Sequence, residues 1–224
     1  MSIYKVKNER FFKKWSPEMA YILGFFTADG SMIKNKRGAH FIEFETIDRD
    51  ILKKIQKIIC PYHKIASRKR SENWSTSYQL QVGSKSIFND LLSIGLNPRK
   101  SRRIVLPRIP KKYFPHFIRG YFDGDGNVTV CVYNRKTRRN KPTRILQSGF
   151  VSGSKKFLES IKNMLLRLGI VRGGTLYYSS GAWRLYFSIN DSRRLYKYMY
   201  NSLVEGKSIF LARKKVIFDK YLGA

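Results

Sequence analysis

The nonapeptide ILGFFTADG (residues 22–30) ends an apolar run on an acid and a glycine, Asp29 and Gly30. The stretch IRGYFDGDG (residues 118–126) ends the same way, on Asp125 and Gly126. In register, Ile22/Ile118, Gly24/Gly120, Phe26/Phe122, Asp29/Asp125 and Gly30/Gly126 are identical pairs, and Phe25/Tyr121 and Ala28/Gly124 are conservative ones. A repeat of this kind predicts a duplicated structural unit.

The sequence around each motif follows one order of elements. In the first half, Ser16-Pro17-Glu18 supplies a capping hydroxyl, a proline at the first turn and an acid near the positive helix end. That helix is expected to run to Asp29, where Gly30 stops it. Residues 31–37 and 40–47 then read as a hairpin, 49–59 as a helix, 64–71 and 78–82 as paired strands, and 84–96 as a closing helix. The second half repeats this, with a helix at 114–125, strands at 128–133 and 144–152, and an amphipathic helix at 154–170. Strands at 174–179 and 183–189 and a helix at 191–203 complete the copy, and 207–222 reads as an extra helix. The expected division is residues 1–102, a proline-rich basic linker at 103–113, and residues 114–224. Each half is therefore αββαββα, an α/β (α+β) class.

With 224 residues, 42% hydrophobic and 14% aromatic, the chain can build a real core despite 27% charged residues. Its 45 Lys+Arg against 15 Asp+Glu leave a net charge of +30. A folded, aromatic-rich protein with that excess is suited to a polyanion, nucleic acid first among them. Cys60 and Cys131 lie apart without CxxC spacing, and His40, His63 and His116 are scattered, so neither a disulfide framework nor a zinc site is expected. No signal-peptide core or membrane-length apolar run is seen, so the expected location is the prokaryotic cytoplasm or an organellar matrix, with no membrane partner.

The acids are the unusual feature. Gly24/Ala28 and Gly120/Gly124 carry small residues one helical turn apart, which permits close helix packing but does not explain Asp29 and Asp125. Helices paired closely and in parallel would bring both carboxylates to the same end. Two such carboxylates near helix C-termini repel, and a divalent cation resolves the conflict. Carboxylate and carbonyl oxygens suit Mg²⁺, and in a strongly basic protein they point to metal-assisted phosphodiester cleavage.

The paired motifs resemble those of the LAGLIDADG homing endonucleases, in the class that carries both motifs on one chain. The resemblance extends over nearly the whole sequence. It implies antiparallel, saddle-shaped sheets on duplex DNA, pseudo-symmetric halves with the motif helices paired at their interface, and a monomeric protein. It further implies cutting of both strands of a long asymmetric target in intron or intergenic homing, with short 3′ overhangs. By the same resemblance Asp29 and Asp125 are metal-binding catalytic acids, with the carbonyls of Ala28 and Gly124 as further ligands. Lys100 and Lys207, each before a serine, match the basic residues near the scissile phosphate, and Asp48 matches a water-positioning residue. Mg²⁺ is the implied cofactor, with Mn²⁺ substituting and Ca²⁺ supporting binding without cleavage. Thr27 departs from the acid common at its motif position, which Asp123 keeps, and Gly153-Ser154 stands where the first half has Asp48.

On strands lining DNA, alternate residues face the core and the grooves. Val128, Val130 and Val132 are expected inward, with Thr129, Cys131 and Tyr133 outward; Tyr78, Leu80 and Val82 inward, with Gln79 and Gln81 outward. Trp183, Leu185 and Phe187 are expected to pack, leaving Arg184 and Tyr186 exposed. Glutamine and arginine suit adenine and guanine edges, and Glu43 and Glu45 could accept from cytosine. Gln147 and Arg144 belong to the same candidate set. Lys34, Lys36, Arg37, Arg68, Arg70, Arg135, Arg138, Arg139 and the basic run 213–215 are expected phosphate contacts. The alternative within the family is a maturase that assists intron splicing, alone or alongside cleavage, with intron RNA as partner. An intein-embedded enzyme is not expected, because flanking splicing residues are absent and the chain starts with Met, so a free-standing enzyme is.

Overall fold

The computed structural model describes residues 6–69, 75–98, 103–134, 142–201, 203 and 208–223. In the first half α1 (Pro17–Asp29), β1 (Gly30–Lys34), β2 (His40–Thr46), α2 (Arg49–Ile59), β3 (Ile65–Arg68), β4 (Ser77–Gly83) and α3 (Lys85–Ile94) follow in chain order. The second holds α4 (Phe114–Asp125), β5 (Gly126–Asn134), β6 (Pro142–Ser152), α5 (Lys155–Arg167), β7 (Thr175–Ser179), β8 (Ala182–Phe187) and α6 (Ile189–Tyr200), then α7 (Ala212–Leu222). This is the duplicated αββαββα order with antiparallel sheets, an α+β fold.

Both sheets have the same topology, β1-β2-β4-β3 and β5-β6-β8-β7, and every neighbouring pair is antiparallel. Chain contacts divide the molecule into two compact units, Met1–Gly124 and Asp125–Ala224. In the first unit, Ile42, Phe44, Leu80 and Val82 turn one sheet face onto the apolar sides of α2 and α3, with Ile51, Leu52, Ile55, Ile87, Phe88 and Leu91 buried beneath. In the second, Leu146, Phe150, Leu185 and Phe187 do the same for α5 and α6 through Phe157, Ile161, Leu165 and Leu195. Such period-2 strands over period-3.6 helices make a two-layer core.

Local chemistry sets the element ends. Ser16, Ser84, Ser154 and Ser188 each accept a hydrogen bond from a first-turn backbone N–H, capping α1, α3, α5 and α6. Gly95 ends α3 in the left-handed region at φ 104°. The predicted helices at 84–96 and 154–170 are shorter, because their caps and C-terminal turns hold them to Lys85–Ile94 and Lys155–Arg167, and the one predicted at 191–203 lies earlier, at Ile189–Tyr200, behind its Ser188 cap. The extra helix begins at Ala212 rather than near 207.

Candidate active site and nucleic-acid interface

α1 is buried along Met19–Thr27, and α4 packs on it within the first unit. A Cβ added at Gly24 would strike the carbonyl oxygen of Phe117, and one at Gly120 would strike that of Tyr21. The two motif glycines are therefore reciprocal points of backbone contact, where no side chain fits. A Cβ at Gly124 would meet Ala28 Cβ and lie 3.3 Å from Asp29 Oδ2.

This helix pair carries a polar cluster that the sequence pattern does not reveal. Tyr21 donates its hydroxyl to Asp123 Oδ2 at 2.7 Å, both groups buried. Arg119, 2% exposed, bonds to His116 Nδ1 at 3.0 Å and lies 5.4 Å from the Tyr21 ring centroid. Burial, and then the Arg119 charge, lower the His116 pKa to about 4, against a smaller opposing effect of Glu18. The departure at Thr27 is filled locally, since its hydroxyl donates to Leu23 O at 2.7 Å. The visible signal was a charged residue and a histidine inside an otherwise apolar motif helix.

Asp29 is the last residue of α1 and Asp125 the last of α4, both half-buried. Gly30 stops α1 without a left-handed turn: its φ and ψ are −94° and 154°, its N–H bonds Phe26 O, and a Cβ there would strike the Phe26 ring. The chain thus passes directly from motif helix to strand. Among the described residues no group of three or more His, Cys, Asp or Glu could hold a metal. The donors at the motif ends are a carboxylate and the main-chain carbonyls of Ala28 and Gly124, an all-oxygen set. Mg²⁺ takes such oxygens from one or two carboxylates and keeps several waters, and a Cβ at Gly124 would crowd the Asp29 carboxylate as well as Ala28. These residues fit a hard divalent cation.

Asp48 occupies the cap position before α2 without capping it, and its N–H bonds Thr46 Oγ1 at 3.3 Å. Its counterpart Ser154 is a working cap, accepting from Phe157 N at 3.3 Å. Lys100 and Lys207 lie outside the described residues, as do Arg70, Arg135, Arg138 and Arg139.

The outward face of the first sheet holds Ser31, Glu43, Glu45, Gln79 and Gln81 together. Glu43 stands opposite Gln81 and Glu45 opposite Gln79. Gln81 Nε2 donates to Glu43 Oε2 at 3.0 Å, and Ser77 Oγ to Glu45 Oε1 at 3.0 Å. Both acids thus already hold a partner within the sheet. Lys34, Lys36 and Arg37 are exposed at the β1–β2 turn, and Arg68 on β3. That turn closes through Gly38 at φ 80° and through Ala39 N bonding Asn35 Oδ1 at 2.8 Å.

In the second sheet Thr129 stands opposite Gln147, Asn127 opposite Gly149, and Gly149 opposite Tyr186. Tyr186 accepts from Asn127 Nδ2 at 2.7 Å and stacks on Tyr177 with ring centroids 6.0 Å apart. Arg184 lies opposite Tyr177 on β7. Asn127 and Tyr177 therefore join the predicted Thr129, Cys131, Gln147, Arg184 and Tyr186 on one face. Strand alternation in β7 and β8 was the signal for Tyr177.

Two expectations are corrected. Val132 is 61% exposed, not packed, because β5 runs past the core and both of its faces meet solvent near Tyr133. Of the basic run 213–215, expected to be exposed to phosphates, only Arg213 is exposed: Lys214 is buried, and Lys215 pairs with Asp219 at 2.8 Å. Arg144 is exposed but pairs with Val132, on the opposite strand face from Gln147 and Thr129, beside the Tyr221 ring at 5.8 Å.

A family profile described as a LAGLIDADG-like domain matches residues 16–94 and again residues 116–199. An uncharacterized protein of Methanocaldococcus jannaschii is 21% identical over 92% of this chain and 74% of its own length. A protein of Thermococcus kodakarensis named a probable translation initiation factor IF-2 is 35% identical over 43% of this chain, which is 8% of that protein. Among solved structures, the LAGLIDADG meganuclease I-CpaMI bound to uncleaved DNA aligns with TM-score 0.61 and 15% identity, over 94% of this chain and 90% of that one. The meganuclease I-AabMI, also bound to uncleaved DNA, aligns with TM-score 0.61 and 12% identity, over 93% and 90%. I-SmaMI bound to its uncleaved DNA target in the presence of calcium ions gives TM-score 0.58 and 13% identity, over 87% of each chain.

Proposed function

The chain belongs to the LAGLIDADG-like domain family, and from that premise we propose that it is a site-specific endonuclease of double-stranded DNA. In this reading it acts as a monomer, with a divalent cation, and breaks both strands to leave short 3′ overhangs at an intron or intergenic homing site. The observation that carries the reading is the duplicated motif: each motif helix ends on an acid that opens directly into the first strand of its own sheet. The net charge of +30 and the polar outward strand faces support a DNA partner. I-CpaMI and I-AabMI, which share the fold, are bound to DNA.

Asp29, Asp125 and the carbonyls of Ala28 and Gly124 would hold the cation, Mg²⁺ in the first instance. When bound, it supplies Lewis-acid polarisation of a phosphodiester. Within the protein, the Gly24–Phe117 and Gly120–Tyr21 approaches fix the motif helices. Asp48 is the proposed water-positioning residue, and Lys100 and Lys207 the proposed cations near the scissile phosphate. Lys36, Arg37 and Arg68 would grip phosphates, while Gln79, Gln81, Gln147 and Arg184 read base edges.

The test is selection of cleaved sites from a randomised duplex library with Mg²⁺, for the wild type, Asp29→Asn and Asp125→Asn. Discrete double-strand cuts with 3′ overhangs, lost in both variants, are expected. Mn²⁺ is expected to substitute, and Ca²⁺ to retain DNA binding without cuts. Binding with no cleavage under any divalent cation would overturn the enzyme reading and turn attention to RNA.

A further inference from the structure

Among the described residues the C-terminal helix α7 has no counterpart between α3 and α4, where they hold a 3-10 turn at Lys111–Tyr113. It packs on α6 and β5 within the second unit. Phe218 is fully buried, with ring centroids 5.2 Å from Tyr196 and 6.3 Å from Tyr200. Tyr196 donates its hydroxyl to Asp219 Oδ1 at 2.6 Å, and Lys215 bonds the same carboxylate at 2.8 Å. Tyr221 reaches the backbone oxygen of Arg144 at 3.1 Å. The helix is therefore pinned along its length.

One product of that pinning is Lys214. It is 6% exposed, and its ammonium donates to the carbonyl of Gly126 at 2.6 Å. Gly126 directly follows Asp125 and is itself buried. Burying an ammonium is costly, and a hydrophobic side chain of similar shape often serves stability as well or better. A buried lysine on a main-chain oxygen thus needs a reason beyond filling space. Helix carbonyls concentrate negative charge at a C-terminus, so a cation is favoured on the backbone just beyond Asp125.

We propose that Lys214 is a positioning residue for Asp125, fastening the backbone on which the second motif acid stands. α7 would then be a buttress for one motif end. Among the described residues the first half has no such C-terminal helix to reach its corresponding backbone at Gly30. This inference rests on the endonuclease reading for its catalytic consequence, though not for its structural one.

The test compares Lys214→Met and Lys214→Arg with Lys220→Met, which removes the same charge from an exposed position of the same helix. Three readouts are taken: thermal melting, amide hydrogen exchange across Gly126–Val128, and strand-resolved cutting of a supercoiled plasmid bearing the selected site. For Lys214→Met we expect a cooperative melt and exchange at Gly126–Val128 faster by on the order of tenfold. One strand should then be cut about tenfold more slowly, so that nicked circles accumulate. Lys214→Arg should restore part of both effects, and Lys220→Met should show neither. Unchanged exchange, or equal slowing of both strands, would overturn the proposal. If wild-type protein cuts no DNA, the endonuclease reading fails and the exchange experiment alone decides this one. If Lys214→Met does not fold, Lys214→Arg against Lys220→Met decides it by the same readouts.

Discussion

Tyr21 and Asp123 meet across two helices as a buried donor and a buried acceptor. Removing the hydroxyl in Tyr21→Phe takes a partner from a desolvated carboxylate, which costs about 1–3 kcal/mol. Urea denaturation should register that loss as a lower midpoint with an unchanged slope. Gly120→Ala is expected to be worse, because its methyl would press on the Tyr21 carbonyl and backbone cannot step aside as a flexible side chain can. Overpacking of this kind costs about 1–3 kcal/mol and sometimes more; a Gly120→Ala protein with wild-type stability would contradict the close helix contact. Cys60, by contrast, is an inert core residue, its thiol pushed up to about 12 by burial.

At the scale of the element, α4 is a helix whose stability depends on pH. His116 has a folded pKa near 4 against an ordinary 6.5, so it is neutral where the unfolded chain begins to bind a proton. Its contribution is fully present above pH 6.5 and is lost as pH falls towards 4, a change on the order of 3 kcal/mol. Thermal melts at steps from pH 7 to pH 4 should fall more steeply for the wild type than for His116→Asn. Parallel curves would show that His116 takes no part. The hairpins, helices and their order were legible because period-2 and period-3.6 patterns alternate cleanly with serine caps between them. Helix α7 was legible only in part: 207–222 read as a helix, but nothing in the run of residues 213–215 distinguished a buried lysine from an exposed one. Burial of Lys214 depends on a carbonyl 88 residues away in sequence, and local pattern carries no trace of such a partner. The polar cluster was hidden for the same reason: Arg119 and His116 stand out in an apolar helix, but Tyr21, which meets Asp123 and Arg119, lies on the opposing one.

Across the whole molecule, charge outweighs every local feature. With +30 spread over 224 residues, self-repulsion opposes compaction while the field draws in polyanions. Binding to duplex DNA is expected to weaken steeply with salt, log affinity falling linearly with log salt concentration as phosphate counterions are released. A titration between 50 and 200 mM salt should lose on the order of 10³-fold in affinity. A flat response would remove the phosphate role from Lys36, Arg37 and Arg68. Within this field the sparse acids stand out, and the motif acids were legible in the sequence because each comes with its glycine, twice. The proposed base-reading residues were less so: the outward parity of Gln79 and Gln81 was visible, but the bond from Gln81 to Glu43 depends on register.

The polar cluster of the motif helices also limits how this chain could be rebuilt. Under the internal repeat, Tyr21 corresponds to Phe117, Leu23 to Arg119 and Thr27 to Asp123. The hydroxyl-to-carboxylate bond therefore exists once, in one direction, and neither half contains both ends of it. Two copies of the first half would set each Tyr21 against a threonine already bonded to its own helix. Two copies of the second would bury two carboxylates facing phenylalanine and two guanidiniums without the tyrosine ring. At this bond the two motif helices are complementary and not interchangeable, so neither motif sequence can stand in for the other.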